Sequence, residues 1–196
     1  MTSSERVLVV DVGTSSVRAA VVDAAARVIG EHREPLLPSS PAPGLVEFDP
    51  AGMAAVVLRV ARAALEDFGP AGSVGVANQR SSTVVWDRAT GEPVGPGIGW
   101  QDLRTVGRCL ELQAEGLRLA PNESATKLEW LLDQADPGRD RDLCFGTVDT
   151  WVAWTLSEGA LHTTDATNAA LTGLRNRAND AWSEAALTTL LSLIHI

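Results

Sequence analysis

The stretch from Val7 to Asp23 constrains the fold more than any other part of this chain. Two short apolar runs, Val7–Val10 and Ala19–Val22, have the length and composition of buried strands. The polar residues between them predict a tight turn, which Gly13 permits because glycine adopts backbone conformations that other residues avoid. The sequence therefore predicts a β-hairpin whose turn carries polar groups.

That turn is suited to binding an anion. The hydroxyls and backbone N–H groups of Thr14, Ser15 and Ser16 can converge on a phosphate. Asp11, at the end of the first strand, can hold a metal-bound water, and Arg18 can reach toward the same charge. The stretch has neither the lysine of a Walker loop nor a G-x-G-x-x-G motif, so taken alone it is equally compatible with an ordinary hairpin.

Composition narrows the classes of partner. The 196 residues, 45% of them hydrophobic, are enough for one domain with a good core. With 16 basic and 25 acidic residues the net charge is -9, and neither nucleic acid nor an anionic membrane is expected as a partner. No apolar run is long enough to span a bilayer and no signal-peptide pattern is seen, so we expect a cytoplasmic protein.

The cysteines and two aspartates have structural interpretations. Cys109 and Cys144 are far apart and have no metal-ligand spacing, which favours two small buried residues over a zinc site. Asp149 and Asp165 each stand before a run of helical character, and both are predicted to be helix caps.

The rest of the chain alternates between strand and helix patterns. Asp49 followed by Pro50 is typical of a helix start, and apolar residues then recur at helical spacing up to Phe68, before Gly69 and Pro70 end the run. Further strands are predicted over 28–37, 73–77, 83–87, 94–98 and 143–146, and further helices over 103–116, 124–135, from 149, and over 180–191. Residues 192–196 are expected to be irregular.

Seven segments in this order resemble the successive landmarks of the FGGY carbohydrate kinases, most closely the glycerol kinases among them. Any one segment is a weak signal, whereas seven in the family's order form a specific one. They cover nearly the whole chain and are Asp11–Arg18, Gly75–Arg80, Trp86–Gly91, Trp100–Thr105, Ser124–Lys127, Phe145–Trp151 and Thr164–Ala169.

The resemblance implies an α/β fold of the ribonuclease-H-like type, as in the actin, hexokinase and sugar-kinase superfamily, with a mixed sheet flanked by helices. It also implies ATP- and Mg²⁺-dependent phosphoryl transfer to a primary hydroxyl of a small polyol or sugar. By the same resemblance, the residues that face the nucleotide phosphates and Mg²⁺ are Asp11, Gly13, Thr14, Ser15 and Arg18, with Asp11 contacting the metal through water. The substrate-binding residues are Gln79, Arg80, Ser81, Trp100 and Asn122.

This chain departs from the family pattern at the substrate. It has Gln79-Arg80-Ser81 where glycerol kinases have Gln-Arg-Glu, so a carboxylate that would bond substrate hydroxyls is missing. It also has Asn122 or Glu123 where they have an aromatic residue. Because a site built to bond a hydroxyl discriminates strongly, these changes bear on which polyol is bound.

The resemblance also implies that part of the machinery lies outside this chain. The family's general base is an aspartate in a Gly-Asp-Gln segment beyond residue 196, and its ATP-binding C-terminal domain is absent. We therefore expect residues 1–191 to be an incomplete N-terminal kinase domain with no catalytic base, inactive alone, and the full-length form to be a possible homo-oligomer.

Two other interpretations remain open at this point. The half-domain can serve as a non-catalytic sugar- or phosphate-binding module, as actin-like folds do elsewhere, or as an α/β domain without activity. The downstream coding sequence distinguishes them, because a continuation with Gly-Asp-Gln and a glycine-rich adenosine segment supports the kinase.

Overall fold

A computed structural model of the chain describes residues 5–176 and 181–191, so the irregular end predicted at 192–196 lies outside the described residues. The described part contains eight strands and six helices. In chain order they are β1 (Val7–Val12), β2 (Ser16–Val22), β3 (Val28–Pro35), β4 (Glu47–Phe48), α1 (Pro50–Phe68), β5 (Ser73–Asn78), β6 (Thr83–Asp87), β7 (Gly97–Ile98), α2 (Val106–Ala114), α3 (Ala125–Ala135), β8 (Leu143–Thr147), α4 (Val148–Leu156), α5 (Ala166–Ala169) and α6 (Glu184–Leu191).

The first sheet has the strand order β3-β2-β1-β5. The predicted hairpin is confirmed, because β1 and β2 pair antiparallel with Val10 opposite Ala19 and Asp11 opposite Arg18. β3 continues the antiparallel run and ends at Pro35, two residues earlier than predicted. β5 lies parallel to β1, so the carboxyl ends of these two strands meet at one edge of the sheet.

Helix α1 connects the hairpin region to β5 and covers the first sheet. The predicted cap is confirmed, because the Asp49 carboxylate accepts a hydrogen bond from the N–H of Ala51 at 3.0 Å and Pro50 occupies the first turn. The helix ends at Gly69, which has a positive φ of 91°. Its buried face packs on the strands and comprises Met53, Val56, Val57, Val60, Ala61 and Ala64.

The second sheet has the strand order β4-β7-β6-β8. Trp86 on β6 is fully buried, and its ring lies 5.1 Å from that of Trp151 and 5.5 Å from that of Trp154. Both cysteines are buried as predicted, and burial raises the pKa of the Cys144 thiol. Within the described residues, no helix has the length and apolar character needed to cross a membrane.

Several boundaries in this second half differ from the predictions. The strand predicted over 94–98 is only Gly97–Ile98, and α2 begins at Val106 rather than at Leu103 because the preceding residues take part in buried ion pairs described below. The helix predicted from 180 begins at Glu184. Ser124 stands at the N-terminal cap position of α3, but its hydroxyl donates to the carbonyl of Ser81 and does not cap the helix.

Candidate functional site

The turn between β1 and β2 brings together the residues predicted to face phosphates. The guanidinium of Arg18 donates to the Asp11 carboxylate at 2.9 Å, across the two paired strands. The N–H of Gly13 donates to the carbonyl of Ser16 at 3.0 Å, which closes the turn and leaves the Thr14 and Ser15 side chains at its tip. Asp11 and Arg18 are both partly exposed, at 36% and 47%, so an incoming anion or cation can reach either.

The loop after β5 lies beside this turn. Gln79 donates its backbone N–H to the carbonyl of Val12 at 2.8 Å, which joins the loop to the end of β1. The hydroxyl of Ser82, itself fully buried, donates to the Gln79 side-chain oxygen at 3.1 Å. The parallel pairing of β1 and β5 thus places the predicted phosphate turn and the predicted substrate loop at one edge of the sheet.

Arg80 and Ser81 have different environments within this loop. Arg80 is exposed, and within residues 5–176 and 181–191 its guanidinium makes no hydrogen bond or ion pair. Ser81 is 3% exposed, and its hydroxyl donates to the carbonyl of Leu171 at 3.2 Å. Ser81 also has a positive φ of 66°, a conformation that is uncommon for a residue with a side chain and that tends to occur at functional sites.

Trp100 connects the two predicted sets of residues. Its indole N–H lies 3.5 Å from the Thr14 hydroxyl, although 86 positions separate them in the sequence. Its backbone N–H donates to the Ser82 hydroxyl at 3.1 Å, so Trp100 is attached to the predicted substrate loop and its indole reaches the predicted phosphate turn. The side chain remains 40% exposed and can form one wall of a ligand site.

Asn122 is not joined to this group by any described contact. It is exposed on the segment before α3, and in the described part of the chain its side chain makes no hydrogen bond to the other candidate residues. The neighbouring Glu123 is buried and accepts a hydrogen bond from the N–H of Ala120 at 2.8 Å. The structure therefore brings together nine of the ten predicted site residues in or next to the turn, the loop and Trp100.

A buried network of charges, which no sequence motif indicates, supports the Trp100 segment. Asp102 is fully buried and pairs with Arg104 at 2.9 Å, and Arg104 also pairs with Glu47 at 2.7 Å. The ammonium of Lys127, buried on α3, donates to the carbonyls of Gly99 and Trp100 at 2.9 and 3.1 Å. The available signal was a lysine on the apolar face of a predicted helix, among Ala125, Leu128 and Leu131.

Two opposing effects, burial and hydrogen bonding, set the pKa values of the charged groups in this network. Burial disfavours the charged form of Asp102, yet the bonds from the Arg104 side chain and the Val46 N–H outweigh it and lower the pKa of Asp102. The same pairing with Asp102 raises the pKa of Arg104. Arg104 also lies over the Trp130 ring, 4.4 Å from its centroid, so a cation–π contact adds to its two ion pairs.

The two aspartates predicted as caps differ in the structure. Asp165 caps α5, accepting from the N–H groups of Thr167 and Asn168 at 2.5 and 3.0 Å, as predicted. The prediction for Asp149 was wrong, because Thr147 occupies the cap position of α4 and Asp149 lies inside its first turn. Its carboxylate accepts from the hydroxyls of Thr147 and Thr164, the latter at 2.7 Å.

Comparison with known proteins identifies the family. Residues 6–192 match the N-terminal domain of the FGGY family of carbohydrate kinases. The chain is 43% identical over 207 residues to a glycerol kinase of Aromatoleum aromaticum, covering 96% of this chain and 41% of that protein. It is 41% identical over 196 residues to a glycerol kinase of Ralstonia pickettii, covering 91% and 39%.

Solved structures agree with this assignment. The chain superposes on Plasmodium falciparum glycerol kinase with ADP at a TM-score of 0.84 and 25% identity, covering 94% of this chain and 40% of that one. Xylulose kinase from Lactobacillus acidophilus has the same fold, at a TM-score of 0.82 and 18% identity over 94% of this chain. The predicted fold is thus confirmed, and the chain spans about two fifths of the length of these relatives. By sequence and by structure, this chain belongs to the FGGY family of carbohydrate kinases and corresponds to its N-terminal domain.

Proposed function

We propose that this chain forms the N-terminal half of a phosphoryl-transfer site in a carbohydrate kinase. The β1–β2 turn faces the phosphates of ATP, and the loop of residues 79–82 with Trp100 faces a small polyol or sugar. The observation that carries the proposal is the contact between the Trp100 indole and the Thr14 hydroxyl, since it joins the substrate wall to the phosphate turn.

The residues of the turn fit the phosphate end of a nucleotide. Thr14 and Ser15 offer hydroxyl donors, Arg18 offers a cation, and Asp11 is the acidic residue of the turn. Mg²⁺ commonly binds through one or two carboxylates together with substrate phosphates, so this donor set fits a magnesium nucleotide better than a free ion. Within the described residues, no cluster of three or more His, Cys, Asp or Glu side chains forms a metal site by itself. Bound Mg²⁺ would neutralise phosphate charge.

The roles of the other residues follow from what phosphoryl transfer requires. The reaction depends on positioning and on charge stabilisation more than on covalent chemistry by the protein. Arg18 is paired with Asp11, and it supplies positive charge at the phosphates when a bound phosphate takes the place of Asp11 as its partner. Arg80, exposed and without a described partner, offers several N–H donors to substrate hydroxyls. Trp100 limits the space beside them.

The substrate class is a polyol or sugar, and Ser81 bears on which one. A serine hydroxyl that is buried and donates to Leu171 is not available to replace the carboxylate that the family pattern has at this position. The substrate therefore receives donors from Arg80 but lacks that acceptor, and its hydroxyl pattern should differ from one selected by an arginine–carboxylate pair.

We further propose that residues 1–191 constitute the domain and that the general base and adenosine pocket belong to a part of the enzyme that this chain does not contain. The relatives in which the kinase activity is named are more than twice as long as the matched region. The isolated chain is then expected to bind ligands without sustained turnover.

Calorimetric titration of the 196-residue chain with a panel of polyols and pentoses tests the proposal. We expect binding by the wild type and an affinity at least about 10-fold lower, roughly 1.4 kcal/mol, for Trp100→Ala and for Arg80→Ala. Trp182→Ala is the matched control, because Trp182 has a similar exposure of 42% and makes no described contact with the turn or the loop. Equal loss in all three variants would contradict the assigned site.

An assay of ATP consumption with the same panel tests the division of the site. Sustained turnover by the 196-residue chain would contradict the proposal that the general base lies outside it. Absence of binding by every polyol and pentose, with the chain folded, would contradict the substrate loop itself.

A further inference from the structure

Lys127 is a buried cation whose ammonium group ends on the backbone of the Trp100 segment. The side chain is fully buried on α3, and its described hydrogen bonds go to the carbonyls of Gly99 and Trp100, at 2.9 and 3.1 Å. Burying an ammonium group is costly unless its N–H groups are satisfied. The two carbonyls accept from two of its three N–H groups, so Lys127 and the Trp100 backbone depend on each other.

Trp100 has few other attachments that fix its position. Its backbone N–H is bonded to the Ser82 hydroxyl, while its side chain is 40% exposed and touches Thr14 at the long distance of 3.5 Å. The indole therefore takes its direction from the backbone of residues 99 and 100. Backbone bonds from the Gly99 N–H to Val46 and from the Asp102 N–H to Gly99 hold residue 99. Lys127 is the buried side chain that bonds the carbonyls of both residues 99 and 100.

We propose that Lys127 is a positioning residue for Trp100, and that it thereby sets how closely the substrate wall approaches the phosphate turn at Thr14. The contact between Lys127 and the Trp100 backbone is independent of any ligand. Only the consequence for a bound polyol rests on the proposed function.

Charged groups around Lys127 make this role dependent on pH. Asp102 and Arg104 lie beside it in the buried network, with Glu47 bonded to Arg104, and Cys109 on α2 interacts with it electrostatically. Burial lowers the pKa of Lys127 to about 8, and Asp102 opposes that effect. Hydrogen bonds from a charged donor are roughly twice as strong as neutral ones, so loss of the proton should loosen residues 99 and 100.

Fluorine NMR of the chain labelled with 5-fluorotryptophan tests the inference without any ligand. The Trp100 resonance is assigned by its loss in Trp100→Phe and followed from pH 6.5 to 9.5. We expect its chemical shift to change in one step with a midpoint near pH 8. The resonance of Trp151, whose buried indole donates to Pro50 at 2.9 Å, is the internal reference and should not follow that step.

Three variants identify the group that titrates. Lys127→Arg retains a cation at every pH in the range, so the Trp100 resonance should stay near its low-pH position. Lys127→Met should also remove the step, with the resonance shifted because both carbonyls lose the ammonium donor and only the Gly99 carbonyl keeps another, the Asp102 N–H at 3.1 Å. Cys109→Ala should keep the step, which assigns it to Lys127 and not to the neighbouring thiol.

A Trp100 resonance that is flat in the wild type would overturn the inference, and apart from Trp100→Phe, which only assigns the resonance, this measurement needs no variant. A step that persists in Lys127→Arg, or one lost in Cys109→Ala alone, would overturn it as well. Failure of every polyol to bind would refute the proposed function and leave the titration result standing, so the two can fail separately.

Discussion

Replacing Asp102 with asparagine tests the buried network that carries the Trp100 segment. One carboxylate oxygen accepts from the N–H and the Nε of Arg104, both at 2.9 Å, and the other from the Val46 N–H at 2.6 Å and the Arg104 Nη2 at 2.9 Å. Asparagine has nearly the same shape, but its amide nitrogen cannot accept. In either orientation two of the four bonds are lost and donors then face donors.

The cost can be worked from this geometry. Asp102 is fully buried and the Arg104 side chain is 7% exposed, so the variant leaves a buried guanidinium whose remaining carboxylate is Glu47. Removing one partner of a buried ion pair costs about 3–5 kcal/mol. Domains are stable by roughly 5–15 kcal/mol, and at about 2–4 °C per kcal/mol for this size the melting temperature should fall by about 6–20 °C.

Urea unfolding at pH 7, followed by far-UV circular dichroism, measures this loss. Asp142→Asn is the matched control, because Asp142 pairs with Arg88 at the same distance of 2.9 Å but the two side chains are 75% and 45% exposed. That exposed pair should contribute less than about 1 kcal/mol. If Asp102→Asn loses no more stability than Asp142→Asn, the reasoning about the buried network is wrong.

The pH dependence gives an independent check on the same residue. The pKa of Asp102 is lowered in the folded state, since its hydrogen bonds outweigh burial. The unfolded chain therefore binds the proton more readily, and the stability from Asp102 is present above the unfolded pKa and lost as pH falls through the lowered folded value. Asp102→Asn should flatten the acid limb of the stability profile.

Two further predictions concern local structure. Asp165→Ala removes the α5 cap and the bond to the Asn168 side chain at 2.9 Å, so we expect a loss of about 1 kcal/mol in the free energy of unfolding at pH 7. Because hydrogen bonds from the α5 residues lower the pKa of Asp165 to about 2, the loss should shrink as pH falls below the unfolded value of 3.8, and a pH-independent loss would contradict the assignment. Gly146→Ala places a methyl 2.6 Å from Thr150 and 2.9 Å from Trp86 and should cost about 1–3 kcal/mol in urea unfolding. Gly107→Ala, which meets nothing within 4 Å in helix α2, should be neutral or stabilising by up to about 1 kcal/mol, and the opposite order would refute the packing argument.

Local signals in the sequence were sufficient for the first half of the fold. The apolar runs of the hairpin, the Asp49–Pro50 start of α1 and the cap at Asp165 depend on residues that are close in the chain. Strand alternation, helical spacing and capping act over one or two turns, so they can be recognised without tertiary contacts. The position of the polar turn could be predicted for the same reason, since its residues are consecutive.

The same local signal failed where a distant segment competes. Asp149 has the pattern of a cap, as Asp165 does, but its carboxylate is bonded to the Thr164 hydroxyl, which the fold brings to it from beyond the end of α4. Ser124, at the cap position of α3, does not cap its helix either, because its hydroxyl donates to the Ser81 carbonyl 43 positions away. A short polar side chain forms only one or two hydrogen bonds, and tertiary contacts decide whether they are made to the helix end or to a distant segment.

By itself, the sequence determined the hairpin, the polar turn, the elements of the first sheet and membership of a kinase family, since each depends on local pattern or on residues that can be compared directly. Only the tertiary structure placed the Trp100 indole against Thr14 and the Lys127 ammonium beneath the Trp100 backbone. Those contacts depend on how two sheets and α3 pack. The sequence shows a lysine on an apolar helix face but not which carbonyls accept its hydrogen bonds. Both its burial and its partners are set only when the helix packs into the core.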